Sequence, residues 1–358
     1  MQISRKTPFL ARQGLSDLLD NSFKMMGHTW KTSLFLSLVF FLPLSALAGW
    51  GISRFLGGLA GLIGAAGEGG EAGAPGLEFF LGYLSLFPLL LGTSLLLGLA
   101  GVFVNAAVGA HVAAVASGRS LEPWEAAGLA GRRFFLPSLF SSLVRQALAS
   151  GALVTLLTAA VALGALAAAG KAYLAVGIAG GVAALLAAVA VSVWLSVLLH
   201  FGPQAVVFDE EGVFGSLQAS ARLVRGSWWR LLGISLLVNM VLSFALGLAT
   251  LPFTGVAMLP LVSRMVNLAT EGNFELTDLV EVFRRSGVSL AVGTAGSTFL
   301  QAALGAFFLP AFYGLFFIDL KVRKGELPGS RAGGGQRPAG SKPAGSKSAG
   351  RKPAGSKP

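Results

Sequence analysis

Cysteine is absent from the 358 residues, which excludes disulfides, thiolate metal sites and a cysteine nucleophile. Charge is scarce as well: Asp, Glu, Lys and Arg make up 12% of the chain, against about 25% in ordinary soluble domains. A soluble globular enzyme is therefore excluded. His28, His111 and His200 are the only histidines, far apart and without HxxxH or HxH spacing, so no histidine-built metal site and no other cofactor is expected. What the chain does have is apolar residues, 54% of the total. They fall in continuous runs of about 20 residues or more, the length a helix needs to cross a hydrocarbon core of about 30 Å.

These runs predict an all-α, polytopic transmembrane bundle with six spans, at about 32–52, 77–104, 147–169, 172–199, 231–251 and 288–318. Residues 1–31 come before the first span, and there Leu15, Leu18, Leu19, Phe23, Met26 and Trp30 recur at helical spacing. That predicts an amphipathic helix lying on the membrane surface, with Asp17, Asp20, Lys24 and Lys31 toward water and Trp30 at headgroup level. The motif at Ser45–Ala48 mimics a signal-peptidase site, but the region before it is too long for an n-region, so the helix is read as uncleaved. Gly-rich residues 53–76 read as a flexible connection. Apolar character persists from 77 to 116, so the second span is either one long tilted helix or a helix broken near Gly98–Gly101. Gly170 and Lys171 make a minimal turn between spans three and four, and Arg145 just before span three reads as a cation snorkelling to the interface. Residues 202–230 predict a second surface helix. Asp278 with Glu281 predicts a short capped helix that Gly287 closes, and Pro310 a kink in the last span.

Lys and Arg number 21 in the connections that share a side with the termini and 5 in the other three. The positive-inside rule then places both termini in the cytoplasm of a bacterial inner membrane. Residues 319–358 form a basic tail. Beyond Pro328 it consists of Pro, Ala, Gly, Ser and cations and is expected to be disordered. Its seven basic residues from Arg331 onward suit anionic inner-leaflet headgroups. Without an aromatic residue the tail is not expected to bind nucleic acid specifically.

Offsetting the chain by 198 residues aligns Leu19 with Leu217, Ser22 with Ser220, Lys24 with Arg222 and Trp30 with Trp228. Three tandem units of surface helix plus helical hairpin would produce this order. So would the general tendency of helices entering from the cytoplasm to collect basic and aromatic residues. The stretches beginning Leu15, Ala205 and Phe316 (LSDLLDNSFKMMGHTW, AVVFDEEGVFGSLQASARLVRGSWW, FFIDLKVRKGE) resemble six-span bacterial membrane proteins named for the glycerophosphoryl diester phosphodiesterase membrane domain. The resemblance covers residues 15 to about 326. The exit departs from the pattern, with Ile318 where the family tends to have Tyr and Lys321 where it tends to have Arg. The family's catalytic barrel has no counterpart here, so the resemblance implies a membrane module and not a phosphodiesterase.

Polar residues inside spans are costly in lipid and tend to face a bundle interior. Asn105, Asn239 and Gln301 qualify, with His111 near the end of span two. The sequence reads the amides as interhelical hydrogen bonds in preference to a substrate site. Lys321, Arg323 and Lys324 beside Asp319 are candidate lipid-headgroup contacts, weighed against a local salt bridge. Asp209, Glu210 and Glu211 could bind a divalent cation but read better as a solvated turn. No HExxH, paired intramembrane Asp or suitably placed GxSxG is present, so no enzyme is expected. The leading expectation is a non-enzymatic membrane module that accommodates or transports a lipid-like or small substrate. The alternative is a scaffold recruiting a protein partner through its cytoplasmic helices and tail.

Overall fold

The computed structural model describes residues 12–68, 84, 87–168, 171–271 and 276–326, and every regular element among them is helical. The elements are α1 (Leu15–Leu36) and α2 (Leu42–Glu68), joined by a π-turn at Ser37–Phe41, then α3 (Phe87–Ala116). Next come α4 (Pro123–Leu129) and α5 (Phe135–Ala168), joined by a second π-turn at Ala130–Phe134, and α6 (Lys171–Leu198). The short α7 (Gly202–Asp209) and α8 (Val213–Val224) precede the long α9 (Trp228–Glu271) and α10 (Leu276–Arg323). Six stretches among the described residues are long and apolar enough to cross a membrane, and the chain is a multi-pass membrane protein.

The last helix is the hub. In its most apolar window 72% of residues are buried, against at most 33% in any other span. It packs on α1, α2, α3 and α9. Its pairing with α1 and α2 is antiparallel along the whole length: Gln13 meets Asp319, Ser33 meets the Ala306 carbonyl, and Gly49 meets Ala291. Both described ends of the chain therefore lie at one end of the bundle. The buried stripe of α1, at Leu18, Ser22, Met25, Thr29, Thr32, Ser33 and Leu36, has the period of a helix face. Ser22 and Thr29 donate to the carbonyls of Leu18 and Met25, so their hydroxyls enter the interface already satisfied.

Several boundaries differ from the sequence expectation, and for one reason. Glycine and proline break helices in water, whereas inside a bilayer each backbone N–H and C=O must find its partner within the helix. Helix α2 accordingly runs through the Gly-rich stretch to Glu68, and α3 is unbroken at Gly98–Gly101. Helix α9 continues through Pro252 and Pro260, and α10 through Gly287, which sits buried against Ser53 and closes nothing. Pro310 lacks the N–H that would bond Ala306, and the Ser33 hydroxyl approaches that carbonyl at 3.5 Å in its place.

The two surface helices are also corrected. Helix α1 is continuous with α2 and docks on α10, its small polar side inward, leaving Phe23 and Trp30 exposed. Helices α1 and α2 together measure about 80 Å at 1.5 Å per residue, far more than the hydrocarbon core. Residues 202–230 are two short helices folded into the bundle, with Ala205, Val206, Val207 and Phe208 in the core. The disordered reading of the tail falls mainly on residues outside those described. The 198-residue offset reappears in burial, since Leu18, Ser22 and Met25 are buried, as are their counterparts Ser216, Ser220 and Leu223.

A Cβ at Gly49 would strike the Ala291 carbonyl, while one at Gly57 would meet nothing within 4 Å. Gly49→Ala is expected to destabilise the protein by about 1–3 kcal/mol, because backbone has to move. Gly57→Ala is expected to be neutral or to stabilise by up to about 1 kcal/mol through helix propensity. Thermal unfolding of both variants in detergent checks the contrast in sign.

Candidate functional site

Beside the last turns of α10 lies a chamber of about 190 Å³, walled by α3, α5, α7 and α10. Helical periodicity builds it. Val102, Asn105, Ala106 and Gly109 form one face of α3, and Ser138, Ser142 and Arg145 stand on one face of α5 at intervals of four and three. The π-turn just before α5 inserts an extra residue into the helical turn and sets which face of α5 points inward. Between His200 and Phe208 the short α7 supplies the third wall, and Leu309, Pro310 and Tyr313 of α10 the fourth.

The polar groups here are of a single kind, cationic or neutral. Arg145 is half-buried and, among the described residues, makes neither an ion pair nor a hydrogen bond. No carboxylate among the described residues lines the chamber. The His200 ring packs edge-on against Tyr313 at 4.4 Å, and the Tyr313 hydroxyl accepts a 2.9 Å hydrogen bond from Asn239. Ser138 is 2% exposed, and its Oγ has no hydrogen-bond partner among the described residues; the same holds for the buried Oε1 of Gln204.

A second cavity, of about 390 Å³, lies nearer the end of α3 and is lined by Ala110, Arg119, Arg133, Phe134 and Glu210 among others. Val207 lines both cavities. Among the residues lining the second, Arg133 donates to Glu210 at 2.5 Å. Glu210 ends α7 at φ +57°, the one non-glycine with positive φ among the described residues. A residue with a Cβ is disfavoured in that left-handed region, and such strain tends to collect where a chain must turn sharply beside a site.

The exit of α10 forms a separate cluster. Asp319, 0% exposed, accepts the Gln13 N–H at 2.8 Å and pairs with Arg230 at 3.0 Å and Arg323 at 2.9 Å. Both arginines also donate to the Gln13 carbonyl. Lys321, 4% exposed, binds Asp209 at 2.5 Å, and Lys324 donates to the carbonyls of Arg222 and Arg225. Burial holds the Lys324 ammonium below its ordinary pKa, with Glu326 opposing that shift and Arg222 adding to it.

The sequence-derived candidates therefore divide. Asn105 lines the chamber and Asn239 reaches it through Tyr313, while Gln301 is exposed on the outside of the bundle. His111 lies elsewhere, its Nδ1 2.7 Å from the Thr32 hydroxyl, where it joins α1 to α3. Lys321, Arg323 and Lys324 all have protein partners, Lys321 buried and the other two exposed at the end of α10. Asp209 and Glu210 diverge to different cations, and among the described residues no group of three metal-ligating side chains occurs. Arg145, read as a snorkelling cation, is the residue the sequence undervalued. Its signal was the helical spacing from Ser138 and Ser142.

A family model described as a domain of unknown function, DUF7847, matches residues 32–320, a span that includes the whole chamber. No curated protein and no solved structure matches the chain.

Replacing Asp319 by Asn would leave two arginines facing a neutral amide in a buried setting. Because both arginines are partly exposed, the expected loss is on the order of 2 kcal/mol, below the range for fully buried pairs. A lower melting temperature of purified D319N, with helical content unchanged by circular dichroism before melting, checks this.

Proposed function

The chain belongs to the DUF7847 family, a domain of unknown function, and from that premise we propose a non-enzymatic membrane module that accommodates or transports a lipid-like or small substrate within its bundle. The observation that carries the reading is the chamber: a largely apolar cavity beside the spans into which a guanidinium and the Ser138 hydroxyl are set without partners among the described residues. Asn239 and Thr32, by contrast, are paired. The chamber also reaches the outside of the bundle, since Asn105 both lines it and is exposed.

The reading includes both termini in the cytoplasm of a bacterial inner membrane, supported by the excess of Lys and Arg on that side. Anionic inner-leaflet headgroups remain the proposed partner of the basic tail. The resemblance to the glycerophosphoryl diester phosphodiesterase membrane domain stays part of the proposal, although the matching family's description carries no such link. The scaffold alternative draws on the exposed Phe214 of α8 and Trp229 beside it, while Lys321 and Asp209 at the exit of α10 are engaged in an internal pair.

With no native cysteine to interfere, a single thiol can report on the chamber. Ser142→Cys is expected to react with a small membrane-impermeant maleimide from the terminal side of the membrane. Adding Glu210→Gln is expected to speed that reaction severalfold by releasing Arg133 across the outer cavity. A thiol that stays unreactive from both sides, while the denatured protein labels fully, would mean a dry bundle and would overturn the reading.

A further inference from the structure

We infer that the Arg145 chamber is a binding site for a phosphate-type oxyanion, an inference that rests on the substrate-accommodating reading above and names the class of substrate. A guanidinium among the spans without a counter-ion is an unstable arrangement unless something supplies the negative charge. No described side chain lining the chamber can do so, since none is a carboxylate. The ligand has to bring the charge.

The donors suit a tetrahedral oxyanion better than a planar carboxylate. They converge from three helices. Arg145 and Ser138 lie on α5, Asn105 on α3 and Tyr313 on α10, so oxygens pointing in different directions can each be met. Ser138 is 2% exposed with an unpartnered Oγ, a buried hydroxyl whose desolvation nothing described offsets. Because the Tyr313 oxygen accepts from Asn239, its own hydrogen is left to donate. Arginine offers its N–H groups as a rigid fork, the geometry that favours phosphate over a point-charge contact.

Size and position narrow the class further. A volume of about 190 Å³ holds a phosphate and its ester linkage but not acyl chains. The wall at Asn105 is open to the outside of the bundle, so the tails of an amphiphile can stay in the bilayer while its head enters. Tyr313 lies six residues before Asp319, about 9 Å along the helix, which places the chamber just inside the ring of charges at the terminal end.

The test uses the full chain carrying Ser142→Cys in vesicles of digalactosyldiacylglycerol, an uncharged bilayer lipid without phosphate, of the same lipid with phosphatidylglycerol, or of the same lipid with inorganic phosphate in the buffer. The rate of labelling by neutral N-ethylmaleimide is read in each. The expected result is slowing of about tenfold by an oxyanion, as fits a charge-assisted contact; Arg145→Gln should abolish it and Arg145→Lys retain part of it. Slowing by phosphatidylglycerol alone identifies a lipid headgroup, and slowing by inorganic phosphate identifies a soluble ion. Equal rates in all three, or slowing that persists in R145Q, would overturn the inference while a reactive thiol leaves the chamber reading standing. A thiol unreactive throughout, yet reactive on denaturation, overturns both.

Discussion

Asp319 has no exposed surface, and five contacts converge on it or on the Gln13 backbone beside it. A carboxylate so placed is tolerable only if its partners are held rigidly, and the partners come from the beginning of the chain, from α9 and from α10 itself. Everything else about the bundle is compatible with this closure. It sets α1 and α2 antiparallel to α10, so α10 becomes the shielded centre, with α3 and α9 alongside it. The same closure brings α7 within reach, where Lys321 takes Asp209 and fixes the wall that carries His200 and Gln204.

The membrane explains why polar atoms are handled so economically. Lipid offers no hydrogen bonds, so hydroxyls are turned back on their own helix, as at Ser22, Thr29, Thr93 and Thr158, or spent on a gap in the backbone, as Ser33 is near Pro310. Buried oxygens without a partner among the described residues occur at Ser37, Ser45, Ser235 and Ser286 as well as at Ser138 and Gln204, and the last two share a chamber with Arg145. The hairpin of α5 and α6 shows the opposite extreme. Beyond its base it packs almost wholly on itself, and alanine and glycine let its two helices approach closely.

Much of this was legible in the sequence, and what was not failed for identifiable reasons. Hydropathy located six spans because their length and apolarity leave little choice. The helix ends were misjudged wherever glycine or proline was read with a propensity appropriate to water, as at Gly287 and Pro252. The inner face of α1 was misjudged because in a bilayer the larger apolar residues, Phe23 and Trp30, can face outward while small polar ones pack. Of the site, Asn105 and Asn239 were recognised by the rarity of amides in apolar runs. Arg145 was not, because a cation next to a span usually snorkels and only its neighbours across α3 and α10 show that this one faces inward. Lys321 and Asp209 are 112 positions apart, and no local pattern announces such a pair.

The bond between Gln13 and Asp319 joins residues 306 positions apart, nearly the whole length of the folded region. During synthesis from the amino end, α1 emerges first and its principal partner last. Until then α1 can pack on α3 through Thr32 and His111 but not on its larger partner, and the Gln13 carbonyl lacks Arg323. The final architecture is thus reached in one late step, when the last helix threads in among helices already inserted. A chain that terminates early, anywhere before α10, does not lose one span out of six. It loses the element on which α1, α2, α3 and α9 all pack, while the hairpin of α5 and α6 keeps its own contacts.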